Sequence, residues 1–346
     1  MTKTRTLRAT SPADLLAMVP YVLGFHPEDS LVLLTVGDAA HRFHARVDLP
    51  GDPDDIPPLV GYLVGVARRN GVGRAVLVVY SEDECLAEAV CAPLRARLRD
   101  NGTTVVEAIR ADGSRWYSLS GCTGPCCPAE GTAYDVGSHP FTAEAVLDGR
   151  VTLGSRRELS DSLIGNDPDD IDAVEEAADA AMERFREILE GRADAERGDE
   201  RWSPDVRAHL VQEGTWVAHR VEQFLEDGLA LPPREIGRLV VAMVAIEVRD
   251  VAWAAMTHEN AVQHVALWRD VARRAPFDLL AAPAALLGFA AWLAGDGALA
   301  WCAVERCQEA EPDYSLALLL TQALSGAVPP STWQPLDRAA LTLFAG

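Results

Sequence analysis

The chain has 346 residues and a formal net charge of −21 at pH 7, because 52 acidic residues outnumber 31 basic ones. A chain of this length buries a sizeable core and is expected to form two domains. The acidic balance argues against binding to nucleic acid or to an anionic membrane surface. Lys3 is the single lysine, so P-loop and Schiff-base lysine chemistry are both excluded from the folded body.

The apolar segments and the cysteines predict the compartment. Residues 1–12 are polar and carry no apolar segment of a signal peptide. The longest apolar run, 279–294, is shorter than the about 20 residues of a spanning helix. We therefore expect a cytoplasmic protein without a membrane partner. Thiols stay reduced in the cytoplasm, which favours free or metal-bound cysteines over disulfides.

The first 160 residues alternate between predicted helices and strands. A helix begins after Ser11 as N-cap, with Pro12 at its first position, and Pro20 is expected to kink or end it before Gly24. The other helices are predicted at 57–70 and 84–100, and the strands at 30–36, 43–49, 75–80, 103–109 and from 115 onward. The strand–helix–strand order implies a right-handed crossover. A mixed sheet with helices on at least one face is the expected core.

The remaining sequence predicts helices. Residues 158–200 hold 16 acidic and four basic residues, with apolar positions at helical spacing up to Leu189 and a polar stretch at 192–201. Further helices are predicted at 203–228, 232–251, 258–274, 278–294, 297–310 and 313–325. The predicted organisation is therefore an α/β (mixed sheet) domain at 1–160, an acidic helix and linker at 161–202, and an all-α domain at 203–346.

Two predicted helices near the C-terminus have the spacing of a repeat unit. Gly288 lies in a Leu-Gly pair in the first helix, Ala300 is a small residue early in the second, and Pro312 ends the pair. With a period of about 34 residues, the pair resembles a tetratricopeptide repeat, and it implies a tetratricopeptide-like helical domain. A stable array needs about three units and one is recognisable, so a single helical hairpin with a small-residue crossing is the alternative.

Several different short motifs are distributed along the whole chain. The first is SPADLLAMVPYVLGFHPEDSLV at 11–32, which is followed by Arg46-Val-Asp48. The cysteine segment contributes Cys122 and then CCPAEG at 126–131, and Gly-Asp-Gly follows at 295–297. On these motifs the chain resembles an actinobacterial family of unknown function. The resemblance covers nearly the whole chain and implies no activity, cofactor or partner.

Three of the seven cysteines, Cys122, Cys126 and Cys127, lie within six residues. Zinc is held by three or four Cys, His or carboxylate ligands, and adjacent Cys126 and Cys127 are expected to strain a shared site. A metal would therefore be held by Cys122 and Cys126 with help from elsewhere. The candidate helpers are His139, His26 and Asp135. The alternatives are a redox pair of Cys122 with Cys126, or a tight loop whose cysteines act as small buried hydrophobes.

The turn from Gly24 to Ser30 is the second candidate site. His26, Asp29 and Ser30 could form a proton-transfer group, although Asp29 and Ser30 also suit a purely structural turn. We expect the loop that carries Cys122, Cys126 and Cys127, called the cysteine loop below, to pack beside this turn, because both lie at strand ends. The candidate catalytic residues are then His26, Asp29, Arg46 and Cys126.

The polar face of the second strand is a third candidate. His44, Arg46 and Asp48 alternate with apolar residues and therefore share one face. Such a row could bind an anion or orient a base, although exposed strand faces are usually just polar.

The sequence contains no complete catalytic motif, so whether the protein is an enzyme stays open. We keep three hypotheses. The leading one is a non-enzymatic module whose helical domain binds a protein or peptide. The second is a thiol- or metal-dependent enzyme at the cysteine loop and the His26 turn, with zinc as the candidate ion. The third is a sensor that binds a small anionic ligand in the α/β domain. Neither the oligomeric state nor the partner follows from the sequence.

Overall fold

The computed structural model of the protein describes residues 9–37, 44–122, 124, 126–147, 152–190 and 203–344. The chain divides into two compact units, Met1–Glu158 and Leu159–Gly346. The first unit contains a mixed sheet with helices and the second contains a set of helices, which confirms the predicted fold class. The predicted linker at 192–201 lies outside the described residues.

Six described strands form one sheet in the first unit, in the order β2-β1-β3-β4-β5-β6. Their bounds are Ser30–Thr35 (β1), His44–Asp48 (β2), Arg74–Tyr80 (β3), Thr104–Ala111 (β4), Arg115–Ser118 (β5) and Thr132–Ala133 (β6). Strands β3 and β4 are parallel, whereas the β1–β2, β1–β3, β4–β5 and β5–β6 pairs are antiparallel. The sheet is therefore mixed, as the alternation of predicted elements indicated.

The first unit contains four described helices and part of a fifth, and side-chain caps at Ser11 and Asp83 mark the start of two of them. They are Pro12–Leu23 (α1), Ile56–Arg69 (α2), Glu84–Asp100 (α3) and Pro140–Leu147 (α4), while Arg156–Asp161 (α5) spans the division between the units. Ser11 and Asp14 form a reciprocal capping box at the start of α1, and Gly24 ends it at φ 78°. Pro20 is included in α1, which ends at Leu23. The predicted positions of α2 and α3 are confirmed to within one residue.

The core of the first unit lies between the sheet and helices α2 and α3. Leu31, Leu33, Leu77 and Val79 alternate along β1 and β3 and pack against buried side chains of both helices, including Leu94. The intervening residues of these strands are also buried. The sheet is thus covered on both faces, which explains the continuous apolar run of β3.

The second unit contains eight described helices. They are Pro168–Glu190 (α6), Pro204–Asp227 (α7), Pro233–Ala242 (α8), Ile246–Ala254 (α9), Ala261–Arg274 (α10), Ala281–Leu293 (α11), Gly297–Ala310 (α12) and Ser315–Ser325 (α13). The single helix predicted at 232–251 is wrong, because the chain breaks between α8 and α9 at Met243–Ala245. No glycine or proline marks this break in the sequence. Met243 is buried at the break, whereas Val244 is exposed.

Helices α11 and α12 form the predicted helical pair. Every residue of α11 is buried. A Cβ atom at Gly288 would lie 3.4 Å from the carbonyl oxygen of Ala300, so the small residues allow a close helix crossing.

Within the described residues, no helix is both long and apolar enough to cross a membrane.

Candidate metal centre

The cysteine loop begins where β5 ends, and α3 holds its first residues. The Leu119 N–H donates to the Ala108 carbonyl of β4 over 2.8 Å. The guanidinium of Arg95 donates to the carbonyls of Leu119 and Ser120, the second over 3.4 Å. The Ser120 hydroxyl donates to Glu107 over 2.9 Å. The strand edge and the helix therefore fix the start of the loop.

The end of the loop is fixed by β5 itself. Arg115 donates to the carbonyls of Glu130 and Gly131 over 3.1 and 2.8 Å. Gly131 has φ 73°, and a Cβ atom there would lie 2.5 Å from the ring of Tyr117. The tight approach to Tyr117 and the positive φ together require glycine at this position.

The three thiols of the loop lie close together. The Sγ atoms of Cys122 and Cys126 are 3.5 Å apart, and those of Cys126 and Cys127 are 3.8 Å apart. All three sulfurs lie within 4.8 Å of one another. The Cys127 N–H donates to the Gly124 carbonyl over 2.9 Å. That turn brings the sulfurs of both adjacent cysteines into the cluster, and the expected strain of an ion shared by this pair stays a prediction.

Hydrogen bonds within the loop change the acidity of two thiols. The backbone N–H of Gly124 and the thiols of Cys127 and Cys126 lower the pKa of Cys122 below its usual value. The hydrogen bond with Cys122, followed by burial, raises the pKa of Cys127 to about 11. Cys122 therefore ionises more readily than Cys127.

The cluster could hold a metal ion. Thiolates are soft ligands that favour zinc, copper(I) and iron–sulfur groups. Cys122 and Cys126 are exposed, while Cys127 is partly buried. Within the described part of the chain, no His, Asp or Glu joins the group at this distance. Three protein ligands are thus available to an ion, and two of them, Cys122 and Cys126, are exposed to solvent.

His139, predicted as a helping ligand, lies in another hydrogen-bonded group. Its Nε2 is 3.1 Å from Oδ1 of Asp14, and its Nδ1 accepts the Phe141 N–H over 3.2 Å. Burial raises the pKa of Asp14, but hydrogen bonds from Thr10, His139 and Ser11 outweigh burial and hold the pKa at about 2. His139 therefore joins the start of α1 to the start of α4. The other proposed helper, Asp135, accepts the Gly137 N–H over 2.9 Å.

The Gly24–Ser30 turn is held by backbone contacts. The His26 N–H donates to the Leu153 carbonyl over 3.0 Å, and the side chain of His26 is exposed. Asp29 adopts φ 39° and its carbonyl accepts the Leu49 N–H over 2.8 Å. The Ser30 hydroxyl donates to the Glu28 carbonyl rather than to His26 or Asp29. These contacts are those of a structural turn.

Arg46 lies beside this turn on β2. Its guanidinium is 2.6 Å from Asp48 and lies over the ring of Phe25, with 5.9 Å to the ring centroid. The charge of Arg46 is therefore balanced on its own strand.

The strand register places the start of the cysteine loop and the His26 turn toward different ends of the sheet, which counts against the expected shared site. Ser30 lies in register with Tyr80, which lies in register with Ala111 at one end of the sheet. The chain leaves β5 toward the opposite end, because Ser118 pairs with Ile109. Three strand spacings of about 4.8 Å and about four residues of rise separate Ser30 from Ser120, or roughly 20 Å. The shared site of Cys126 and His26 therefore stays a prediction that the strand register does not favour.

A recess in the second unit is a feature that the sequence did not predict. It has a volume of about 50 Å³ and lies between α6, α7 and α8. Phe185 stacks on His209 with 5.7 Å between ring centroids. Glu213 accepts two hydrogen bonds from Arg238, over 3.0 and 2.8 Å, and Arg238 lies over the ring of Trp216. The remaining lining residues are Ala181, Arg184, Leu210, Val241 and Ala242.

Comparisons with known proteins address the resemblance. A family model described as "Domain of unknown function (DUF4192)" matches residues 12–331. No curated protein and no solved structure matches the chain. The motifs and the actinobacterial origin attached to the resemblance remain predictions. Because the match extends over nearly the whole chain, this protein belongs to the DUF4192 family, whose function is unknown.

Proposed function

We propose that this protein binds a zinc ion through the thiolates of Cys122, Cys126 and Cys127. The observation that carries the proposal is the spacing of the sulfurs. Zinc–sulfur bonds of about 2.3 Å in tetrahedral geometry place two sulfurs about 3.8 Å apart. The distances of 3.5 and 3.8 Å in the loop are already close to that value. An ion would therefore require little movement of the thiols.

The anchoring of the loop supports the same proposal. Arg95 and Arg115 hold its two ends through backbone carbonyls, so the thiols are presented by a fixed scaffold. Pre-organised ligands lose less conformational entropy when the ion binds. The fourth ligand would be water or a small molecule from solvent, since zinc sites with three protein ligands keep the fourth position for water or substrate.

Elemental analysis tests this proposal. The full-length protein, purified under reducing conditions, is expected to carry about one zinc per chain. Cys122→Ser and Cys126→Ser should each weaken zinc binding by more than the about 100-fold that changes outside the ligand shell can cost. Binding is measured by competition with a chromophoric chelator.

Cys85→Ser is the matched control, because Cys85 is exposed but lies outside the cluster. It should bind zinc as the wild type does. A wild-type chain without zinc affinity, or equal losses in Cys85→Ser and Cys122→Ser, would contradict the proposal.

A second function, binding of a protein or peptide segment by the second unit, is favoured by the recess between α6, α7 and α8. Its volume of about 50 Å³ suits one small apolar side chain, and it is far below the about 300 Å³ of a small-molecule pocket. The Phe185–His209 stack and the Leu210 side chain line it with apolar surface. The anionic-ligand hypothesis has less support, since Asp48 already pairs with Arg46.

Panning a random peptide library against the full chain tests the second function. Selected peptides should bind Arg184→Ala and His209→Ala at least about tenfold more weakly, since each change alters the recess wall. Arg186→Ala is the control, because Arg186 is on the same helix but pairs with Glu183 outside the recess. Failure to select peptides, or equal losses in Arg184→Ala and Arg186→Ala, would count against this function.

A further inference from the structure

We propose that oxidation links Cys122 to Cys126 in a disulfide and thereby releases the metal ion from the cluster. The inference rests on the proposed zinc site and adds its regulation. The thiolates that bind the ion would then be the same thiolates that the oxidant converts to a disulfide. Metal binding and oxidation would exclude each other at this loop.

The distance between the two sulfurs favours this pair. The Sγ atoms of Cys122 and Cys126 are 3.5 Å apart, against about 2.05 Å in a disulfide. Gly124 lies in the segment that joins the two cysteines, and Gly121, at φ 79°, directly precedes Cys122. A Cβ atom at Gly124 would lie 3.6 and 3.9 Å from the two sulfurs, so the backbone passes close beside both. The glycines allow the small backbone adjustment that closure needs.

The competing pair is less suitable. Cys126 and Cys127 are adjacent, so a disulfide between them would close a small strained ring, and their sulfurs are 3.8 Å apart. Cys127 is also less exposed than Cys122 and Cys126. We therefore assign the bond to Cys122 and Cys126, with Cys127 left as a single thiol.

The chemistry balances with hydrogen peroxide as the oxidant. The Cys122 thiolate attacks one peroxide oxygen, the O–O bond breaks, and hydroxide leaves as Cys122 becomes a sulfenic acid. The Cys126 thiolate then attacks that sulfur, the S–O bond breaks, and a second hydroxide leaves as the S–S bond forms. Two thiolates lose two electrons in total and one peroxide gains them. Cys127 alone offers one ligand, which is too few to hold zinc.

Three of the other four cysteines are protected from the same reaction by burial. Cys91, Cys302 and Cys307 are buried. Burial raises the pKa of Cys91 and of Cys307 to about 12. They remain thiols at neutral pH and are poor nucleophiles. Cys85 is exposed, but it belongs to no group of metal-ligating side chains in the described chain. A limited dose of oxidant should therefore act first on the cysteine loop.

The test uses the zinc-loaded full-length protein. Hydrogen peroxide is added in equimolar amount, zinc release is followed with a chromophoric chelator, and the disulfide is located by peptide mass mapping without reduction. We expect nearly complete release of zinc together with a Cys122–Cys126 link. Dithiothreitol with added zinc should restore the reduced, loaded protein.

Two variants make the test specific. Cys85→Ser should release zinc as the wild type does. Cys127→Ser should form the same Cys122–Cys126 link in the metal-free chain, which shows that the third thiol is not needed for the bond. A link mapped to any other pair would overturn the assignment.

The zinc content before oxidation separates the two proposals. A chain that binds no zinc before peroxide is added contradicts the proposed function and the release with it. A chain that binds zinc and keeps it after peroxide, with Cys122 still reduced, contradicts the redox inference alone.

Discussion

His264 is a buried residue whose ionisation the fold changes strongly. Its side chain is fully buried in α10, and Nδ1 accepts a hydrogen bond from the indole of Trp268 over 3.2 Å. Burial lowers the pKa of His264 to about 4, with the Ala255 carbonyl opposing the shift. The folded protein therefore keeps this imidazole neutral at pH values where an unfolded chain would protonate it.

A pH dependence of stability follows from this pKa. Between pH 6.5 and about 4 the unfolded chain binds a proton at His264 that the folded chain does not bind, so stability falls as the pH falls. The gap corresponds to roughly 3 kcal/mol in the free energy of unfolding. No loss from this group is expected above pH 6.5. Urea denaturation at pH 7.5, 6.0 and 5.0 is expected to show about 2 kcal/mol of this loss by pH 5.

His264→Asn is the matching variant, because its side-chain oxygen can still accept from Trp268. It is expected to be less stable at pH 7.5 but to show a flatter dependence down to pH 5. Asp14 and Asp112 do not contribute to the pH dependence between pH 6.5 and 5. Burial raises the pKa of each carboxyl, but hydrogen bonds outweigh burial and lower both pKa values to about 2. Their contribution is lost only as the pH falls below about 4 toward 2. Equal slopes for both proteins would refute the assignment to His264.

Single residues also show what the sequence could predict of the site. The clustering of Cys122, Cys126 and Cys127 is visible in the spacing alone. That Cys127 reaches the same centre as Cys126 depends on the bond from its own N–H to Gly124, which no spacing rule contains. The partner of His139 is Asp14, more than a hundred positions away, so sequence proximity to the loop suggested the wrong neighbour.

At the scale of elements, local signals predicted most bounds of the first unit. Asp83 caps α3 through the Leu86 N–H, and the helix is found at the predicted 84–100. The strand β6 was missed, because two residues carry no periodic pattern and pair only through β5. The elements that the sequence predicts correctly are those whose capping residue or alternating apolar pattern belongs to the same short segment of the chain.

The helices of the second unit show the same limit. The helix α12 occupies the predicted 297–310, with Asp296 capping it through the Leu299 N–H. The break between α8 and α9 has no such local signal. At α8, a Cβ atom on Gly237 would lie 2.6 Å from the backbone nitrogen of Ala178 in α6. The close crossing of these two helices is set by packing between segments that are far apart in the chain, which periodicity cannot supply.

At the scale of the whole molecule, the acidic residues are concentrated in one part of the chain. Residues 158–200 hold 16 acidic and four basic residues, and α6 carries much of this charge. Some of it stabilises the second unit: Asp170 accepts from Arg274 over 2.8 Å. Asp169 and Asp170 also lie in the first turn of α6, where negative charge is favourable. Among the described residues of this stretch, the acidic side chains other than Asp170 are exposed to solvent, so the charge affects encounters with other molecules.

The net negative charge should prevent binding of the protein to duplex DNA. Binding to duplex DNA depends on Lys and Arg displacing counterions from phosphates, and this chain has 52 acidic residues against 31 basic ones. The local exception is the group of Arg68, Arg69 and Arg74 near the end of α2. At about 150 mM salt, charges more than about 8 Å apart are largely screened. Basic residues elsewhere in the chain would therefore add little to the attraction of these three arginines for phosphate. We therefore expect fluorescence anisotropy of a labelled duplex to give a dissociation constant weaker than about 10⁻⁴ M. A tighter constant that weakens as salt is raised would mean that the first unit presents a basic surface, and Arg68→Glu with Arg74→Glu should then abolish it.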